Sequence, residues 1–240
     1  MANNSLPLLA VLIDADNIPA RFAEAILKEI TAFGEPALRR VYGDWSSPML
    51  KLWSTKVHAL GLVAHQETAN TKGKNASDIG LVIDAMDLLH TGRFDGFVLV
   101  SSDSDFTSLA NRIREQGLDV IGIGESKTPE SLRNVCTRFV MIENIVDEPA
   151  TATPKGKPVA PKPGKRPVAE AIPLIFKAME KIEQEDEWYQ LGRVGQAIQA
   201  DNRDFDTRSY GKSKLSDLVA DLKRFETKRE GNHVYLRRID

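Results

Sequence analysis

Two stretches of the chain run apolar without alternation and then stop at acids. Residues 8–17 read LLAVLIDADN and residues 97–106 read FVLVSSDSDF. An unbroken apolar run of this length predicts a parallel strand covered on both faces, its polar residues gathered at one end. If both strands belong to one sheet, their carboxyl ends share an edge, where open α/β sheets place their ligands. Asp14 and Asp16 then meet Asp103 and Asp105 in one crevice.

The rest of the first half alternates in the same way. The pattern predicts a helix from Pro19 to about Phe33, strands near 38–42 and 61–65, and a helix from about Ser77 to His90. A strand at 96–101, a helix from about Phe106 to Gln116 and strands near 119–123 and 139–142 follow. Pro19 suits a first helical turn, and Gly34 and Gly117 suit helix ends. Strand and helix in alternation predict a mainly parallel sheet with helices on both faces. After residue 167 the pattern changes to helices near 168–184, 190–200 and 213–223, then two short strands around Glu230-Gly231-Asn232. Three helices and a hairpin predict a winged helix.

Between the halves lies DEPATATPKGKPVAPKPGKRP, residues 147–167, which holds no aromatic residue and no leucine. Such a segment cannot build a core and predicts an extended tether. The expected organisation is an α/β domain over 1–146, a Pro/Lys-rich flexible linker over 147–165 and a small domain over 166–240.

Composition changes this picture in three places. The net charge of −2 hides an asymmetry: residues 1–150 hold 14 Lys and Arg against 20 Asp and Glu, whereas residues 151–240 hold 18 against 14. The acidic half carries the aspartate clusters, and the basic half suits a polyanion. Cys136 is the one cysteine, which excludes an intrachain disulfide and a multi-cysteine zinc site. No apolar stretch approaches the ~18 residues of a membrane span, and MANNSLPLLA lacks a basic region before an apolar core, so the expectation is a cytoplasmic protein.

A third segment adds to the acids. In KNASDIGLVIDAMDLL, Asp78 falls in the first turn of a helix, where the dipole favours a carboxylate, with Asp84 further along. Any one of these aspartates alone reads equally as a cap or a solvated side chain. Together they would repel one another and remain ionised only beside a cation. Oxygen donors without cysteines suggest Mg2+ or Mn2+. A site of that kind suits phosphodiester hydrolysis. The pair Asp14 and Asp16 after a strand also resembles the haloacid dehalogenase phosphatase pattern, although Ile18 departs from it and no lysine completes the site. There is no P-loop and no glycine fingerprint after a strand, and His58, His65, His90 and His233 are scattered. Trp45 and Trp53 are candidates either for base stacking or for packing.

IDADN, KNASDIGLVIDAM and VSSDSDF, in this order, resemble the NYN domain, a PIN-like nuclease relative also called LabA-like, over roughly residues 6–146. The resemblance implies a Rossmann-like three-layer α/β/α domain with metal-dependent ribonuclease chemistry. It casts Asp14, Asp78, Asp103 and Asp105 as catalytic, metal-binding acids, Asn17 as a residue orienting metal or phosphate, and Asp16 and Asp84 as support. YGDW also fits, with Tyr42 and Asp44 near the crevice rim. FDTRSYGKSKLSDLVADLKRFETKREGNHVYLRR is similar to the OST-HTH or LOTUS domain, over roughly 166–240. That resemblance implies RNA binding or, as in other members, a protein partner. Phe205, Leu215, Leu218, Leu222 and Phe225 are expected core, and Arg208, Tyr210, Lys212 and Lys214 are RNA-contact candidates, joined by Lys72 and Lys74 ahead of the Asp78 helix. The expectation is a metal-dependent endoribonuclease with a tethered RNA-binding winged helix. The alternative is an RNA-binding regulatory adaptor without catalysis.

Overall fold

The computed structural model describes residues 6–66, 76–146, 165–184 and 186–239. The chain divides into two compact units, Met1–Glu148 and Pro149–Asp240, each with its own core. Residues 147–164 of the expected linker, and Lys72 and Lys74, lie outside the described residues.

In the first unit, β1 (Leu8–Asp14), β2 (Glu35–Gly43), β3 (Val63–Gln66), β4 (Gly96–Val100), β5 (Asp119–Gly124) and β6 (Arg138–Met141) form one sheet in the order β3-β2-β1-β4-β5-β6. Every neighbouring pair is parallel. The order runs outward from β1 in one direction and from β4 in the other, so the switch point, where such sheets bind ligands, falls between these two strands.

Both faces are covered. Leu9, Val11 and Ile13 of β1 face a layer that includes Ile26 and Ile30 of α1 (Ala23–Ile30) and Trp53 and Val57 of α2 (Lys51–Leu60). Ala10 and Leu12 face the other layer, with Leu81 and Ala85 of α3 (Ala76–His90), Leu109 and Ile113 of α4 (Thr107–Glu115) and Leu132 of α5 (Glu130–Val135). Successive strand residues point to opposite faces, so a strand buried on both must be apolar throughout. β4 is buried at all five positions. The result is the three-layer α/β/α architecture expected for a PIN-like domain.

The first helix is shorter than the pattern predicts. A 3-10 turn at Ala20–Phe22 precedes α1, which ends at Ile30, short of Phe33. Two helices that the pattern does not mark, α2 and α5, carry the crossovers from β2 to β3 and from β5 to β6. Parallel neighbours require such crossovers.

In the second unit, α6 (Ile172–Lys181), α7 (Leu191–Asp201) and α8 (Leu215–Asp221) pack with a sheet of β7 (Tyr189–Gln190), β8 (Phe225–Glu230) and β9 (His233–Arg238) in the order β7-β9-β8. Ile175, Val194, Ile198, Leu218 and Leu236 form the centre of this core. β8 and β9 are antiparallel and joined through Gly231, whose φ of 58° suits the first central position of a tight hairpin turn. Among the described residues, no helix is long and apolar enough to cross a membrane.

Candidate active site

Asp14 ends β1, one strand from the end of β4, and is only 3% exposed. Its Oδ2 accepts a hydrogen bond from Ser101 Oγ at 2.8 Å, and its Oδ1 accepts one from the Asn17 backbone N–H at 3.2 Å. Burial pushes its carboxyl up to about 7, with the charges of Asp78 and Asp16 adding to the rise and the Ser101 and Asn17 bonds opposing it. Asp14 therefore sits near the point of ionisation at neutral pH, held in place on both oxygens.

The loop after β4 supplies the facing wall. Ser101 Oγ also accepts from the Asp103 backbone N–H at 3.1 Å, so one hydroxyl connects Asp14 to the start of the second acid pair. Asp103 Oδ1 then accepts from the Asp105 N–H at 2.9 Å, capping the short turn Ser104–Phe106. Asn17 Oδ1 accepts from the Ser102 N–H at 3.3 Å, and Ser102 Oγ accepts from the Glu125 N–H at 2.9 Å. These bonds stitch together the ends of β1, β4 and β5. At Gly124, which ends β5, a Cβ would come within 2.6 Å of the Ser101 carbonyl oxygen, so a side chain there would force this wall out of position.

Asp78 projects from the first turn of α3. Its carboxyl is also raised, by burial first and then by the charges of Asp103, Asp105 and Asp16. Asp78 thus links the acids of three separate segments electrostatically, acting on Asp14 and acted on by Asp16, Asp103 and Asp105. Asp16 and Asp105 are exposed and Asp103 is half-buried.

Asp84 turns elsewhere. It accepts hydrogen bonds from Arg40 and from the Tyr42 hydroxyl, and burial together with the Asp84 carboxylate pushes the Tyr42 hydroxyl well above its ordinary range. Asp84 ties α3 to β2. Trp53 is core, 2% exposed, its indole N–H donated to the Ile18 carbonyl at 2.7 Å. Cys136 is a buried thiol that burial pushes up to about 12, which leaves it no nucleophilic character at neutral pH.

The donor chemistry of the crevice is that of a hard divalent cation: carboxylate oxygens, with no sulfur and no imidazole in the electrostatic cluster. Among the described residues, however, no three acidic, imidazole or thiol groups converge closely enough to hold a metal ion between them. A hard divalent cation that keeps several waters and takes only one or two protein carboxylates beside a substrate phosphate is compatible with this arrangement.

The RNA-contact candidates of the second unit separate. Tyr210 is 5% exposed with its ring 6.0 Å from that of Phe205, so it belongs to the core. Arg208 grips Asp206 with Nε and Nη2, and Lys212 is paired with Asp221. Lys214 is exposed just ahead of α8. Leu215, expected in the core, is only partly buried against it.

Ser101 and Ser102 are the residues that sequence reasoning misses. Both are buried polar groups at the end of a fully buried strand. Their signal is the doubled serine directly ahead of DSD, where a hydroxyl can bond forward to the loop backbone.

The NYN domain model matches residues 8–143, and the OST-HTH/LOTUS domain model matches residues 166–236. No curated protein matches the chain. Among solved structures, a protein of unknown function from Vibrio parahaemolyticus RIMD 2210633 is 20% identical with a TM-score of 0.50, over 59% of this chain and 96% of that one. Acinetobacter baumannii MurG is 14% identical with a TM-score of 0.39, over 82% of this chain and 63% of that one. The likeness to the Vibrio protein is one of fold. With a nuclease fold followed by an RNA-binding domain, the chain belongs to the NYN domain family.

Proposed function

We propose that the chain is a metal-dependent endoribonuclease whose second domain holds RNA for the carboxylate crevice of the first. The observation that carries this reading is Asp14: a carboxylate buried at the switch point of a parallel sheet, raised to about 7, with Asp78 and Asp16 acting on it and Asp103 and Asp105 acting in turn on Asp78. A protein gains no stability from such a cluster, so its presence points to a ligand that compensates it.

Asp14 with Asp78 or Asp103 would hold Mg2+ or Mn2+. A bound ion of this type would lower the pKa of a water and offset the charge of a phosphodiester. The chain's own residues do the rest. Ser101 orients Asp14 and fixes the loop that carries Asp103. Asn17, anchored to both Asp14 and Ser102, would orient the metal or a phosphate beside Asp14. Asp105 and Asp16, on the exposed side, suit removal of a proton from the attacking water. Lys214 is the basic contact for the RNA strand on the second domain.

The test is incubation of a mixed RNA pool with Mg2+ or Mn2+ beside an Asp14→Asn control. Cleavage by the native chain and none by the variant supports the proposal. The adaptor reading gains from the lack of a preformed three-ligand metal site among the described residues. Tight RNA binding with no cutting in either metal would favour it.

A further inference from the structure

The rim of the crevice holds an aromatic side chain that the chemistry above does not use. Asp14, Tyr42 and His65 are register partners in one row across β1, β2 and β3. With strands about 4.8 Å apart, the end of β3 stands about 10 Å from that of β1. Trp45, three residues beyond Tyr42, lies over the end of β3. Its indole Nε1–H donates to the His65 carbonyl at 2.7 Å, and its backbone N–H donates to Gln66 Oε1 at 3.1 Å. Trp45 packs against the core layer of α1 and α2 without being fully enclosed by it. Trp53, by contrast, is wholly enclosed. The same loop continues to Met49, 86% exposed, so this rim presents apolar surface outward.

Asp44 sets the chemistry beside the ring. The Ser46 hydroxyl and backbone N–H and the Gln66 amide all donate to its Oδ1, and these bonds, the Ser46 hydroxyl first, hold its carboxyl below the usual range. Oδ2 accepts no hydrogen bond among the described residues. An ionised carboxylate repels a phosphate and accepts from an exocyclic amino group, so the rim favours a base over the backbone.

We propose that Trp45 is a base-stacking subsite of the crevice, taking a nucleobase of single-stranded RNA near the cleaved phosphodiester, with Asp44 beside the base edge. This rests on the ribonuclease reading. Stacking on an aromatic ring tolerates any base, because every base has a π-face. The distance suits it: even a stacked strand rising about 3.4 Å per residue covers 10 Å in a few nucleotides. The Nε1–H bond to the His65 carbonyl fixes the indole, and the backbone bond to Gln66 fixes the loop that carries it, before RNA arrives, so little side-chain freedom is lost on binding.

Two measurements on the full chain test the subsite. The first follows steady-state cleavage of a short unstructured RNA. Trp45→Leu, which keeps apolar packing but has no π-face, raises KM about tenfold with kcat within a few-fold. Trp45→Phe, which keeps a π-face, raises KM less. The second uses tryptophan fluorescence in an Asp14→Asn, Trp188→Phe chain, where Trp45 and the enclosed Trp53 remain. The same RNA quenches the emission, and adding Trp45→Phe removes the quench. If the native chain cuts RNA while Trp45→Leu keeps the native KM, or if the RNA binds with no quench dependent on Trp45, the subsite is wrong and the ribonuclease reading stands. Should Trp45→Leu fail to fold, the quench alone decides. A native chain that neither binds nor cuts RNA overturns both.

Discussion

Asp14 carries the tension of the site. In the unfolded chain its carboxyl ionises near 3.8, whereas in the folded chain it holds its proton to about 7. Between those values the folded state binds more protons, so its stability falls as pH rises through that window, is free of the penalty below it and bears all of it above. The full shift corresponds to on the order of 4 kcal/mol. Metal-free protein should therefore lose denaturation midpoint from pH 4 to pH 7 through this group, and Asp14→Asn should flatten that part of the curve. A divalent ion that needs Asp14 ionised should raise the melting temperature more at pH 8 than at pH 5. An equal response at both, across a millimolar titration by calorimetry, would remove Asp14 from the metal site. Ser101 belongs to the same balance. Its hydroxyl bond holds the Asp14 carboxyl lower than burial alone would. Ser101→Ala should shift the ionisation of Asp14 upward, move the rising limb of the pH–rate profile to higher pH, and cost about tenfold in kcat at neutral pH. An unchanged profile would make Ser101 a structural cap only.

At the scale of elements, the strands were legible wherever both faces are buried. The runs Leu8–Ile13 and Phe97–Val100 are short and β-branched enough to read as strands, and because the sheet is parallel the acids at their ends fall on one edge. α2 was not legible, because its buried positions reduce to Trp53 and Val57 within Lys51–Leu60, too narrow an apolar stripe to stand out beside Lys51, Lys56 and His58. α5 has six residues and one buried position, Leu132, which no helical period reveals. The contacts of Asp84 were hidden for another reason. Sequence places it on the helix that carries Asp78, but only the packing of α3 across β2 brings Arg40 and Tyr42 to it. Its neutralised, half-buried position implies an anchoring role. Asp84→Ala would leave the Tyr42 hydroxyl and Arg40 without their acceptor, a loss of about 1–3 kcal/mol that a denaturant titration would detect. If RNA cleavage by this variant, measured well below its melting temperature, fell as far as in Asp14→Asn, the anchoring account would fail and Asp84 would join the chemistry.

For the whole molecule, the two cores share no residue, and the charge asymmetry follows the division: the site aspartates sit in the net acidic first unit, and the second is net basic. If RNA is recruited by the second unit, its contribution is local concentration rather than chemistry. Removing residues 147–240 should then slow cleavage at dilute RNA while the rate at saturating RNA approaches that of the full chain. Phosphate contacts release counterions, so the advantage of the full chain should shrink with salt, its log affinity falling by about 0.7 per phosphate contact for each decade of salt on a single strand. Lys214→Ala, at an exposed position that builds no core, should lower that salt slope by one contact's worth and raise KM without changing kcat. Lys212, already paired with Asp221, should matter less. Were the truncated and full chains to match at every RNA and salt concentration, the second domain would not recruit the substrate, and its ligand would be sought among proteins.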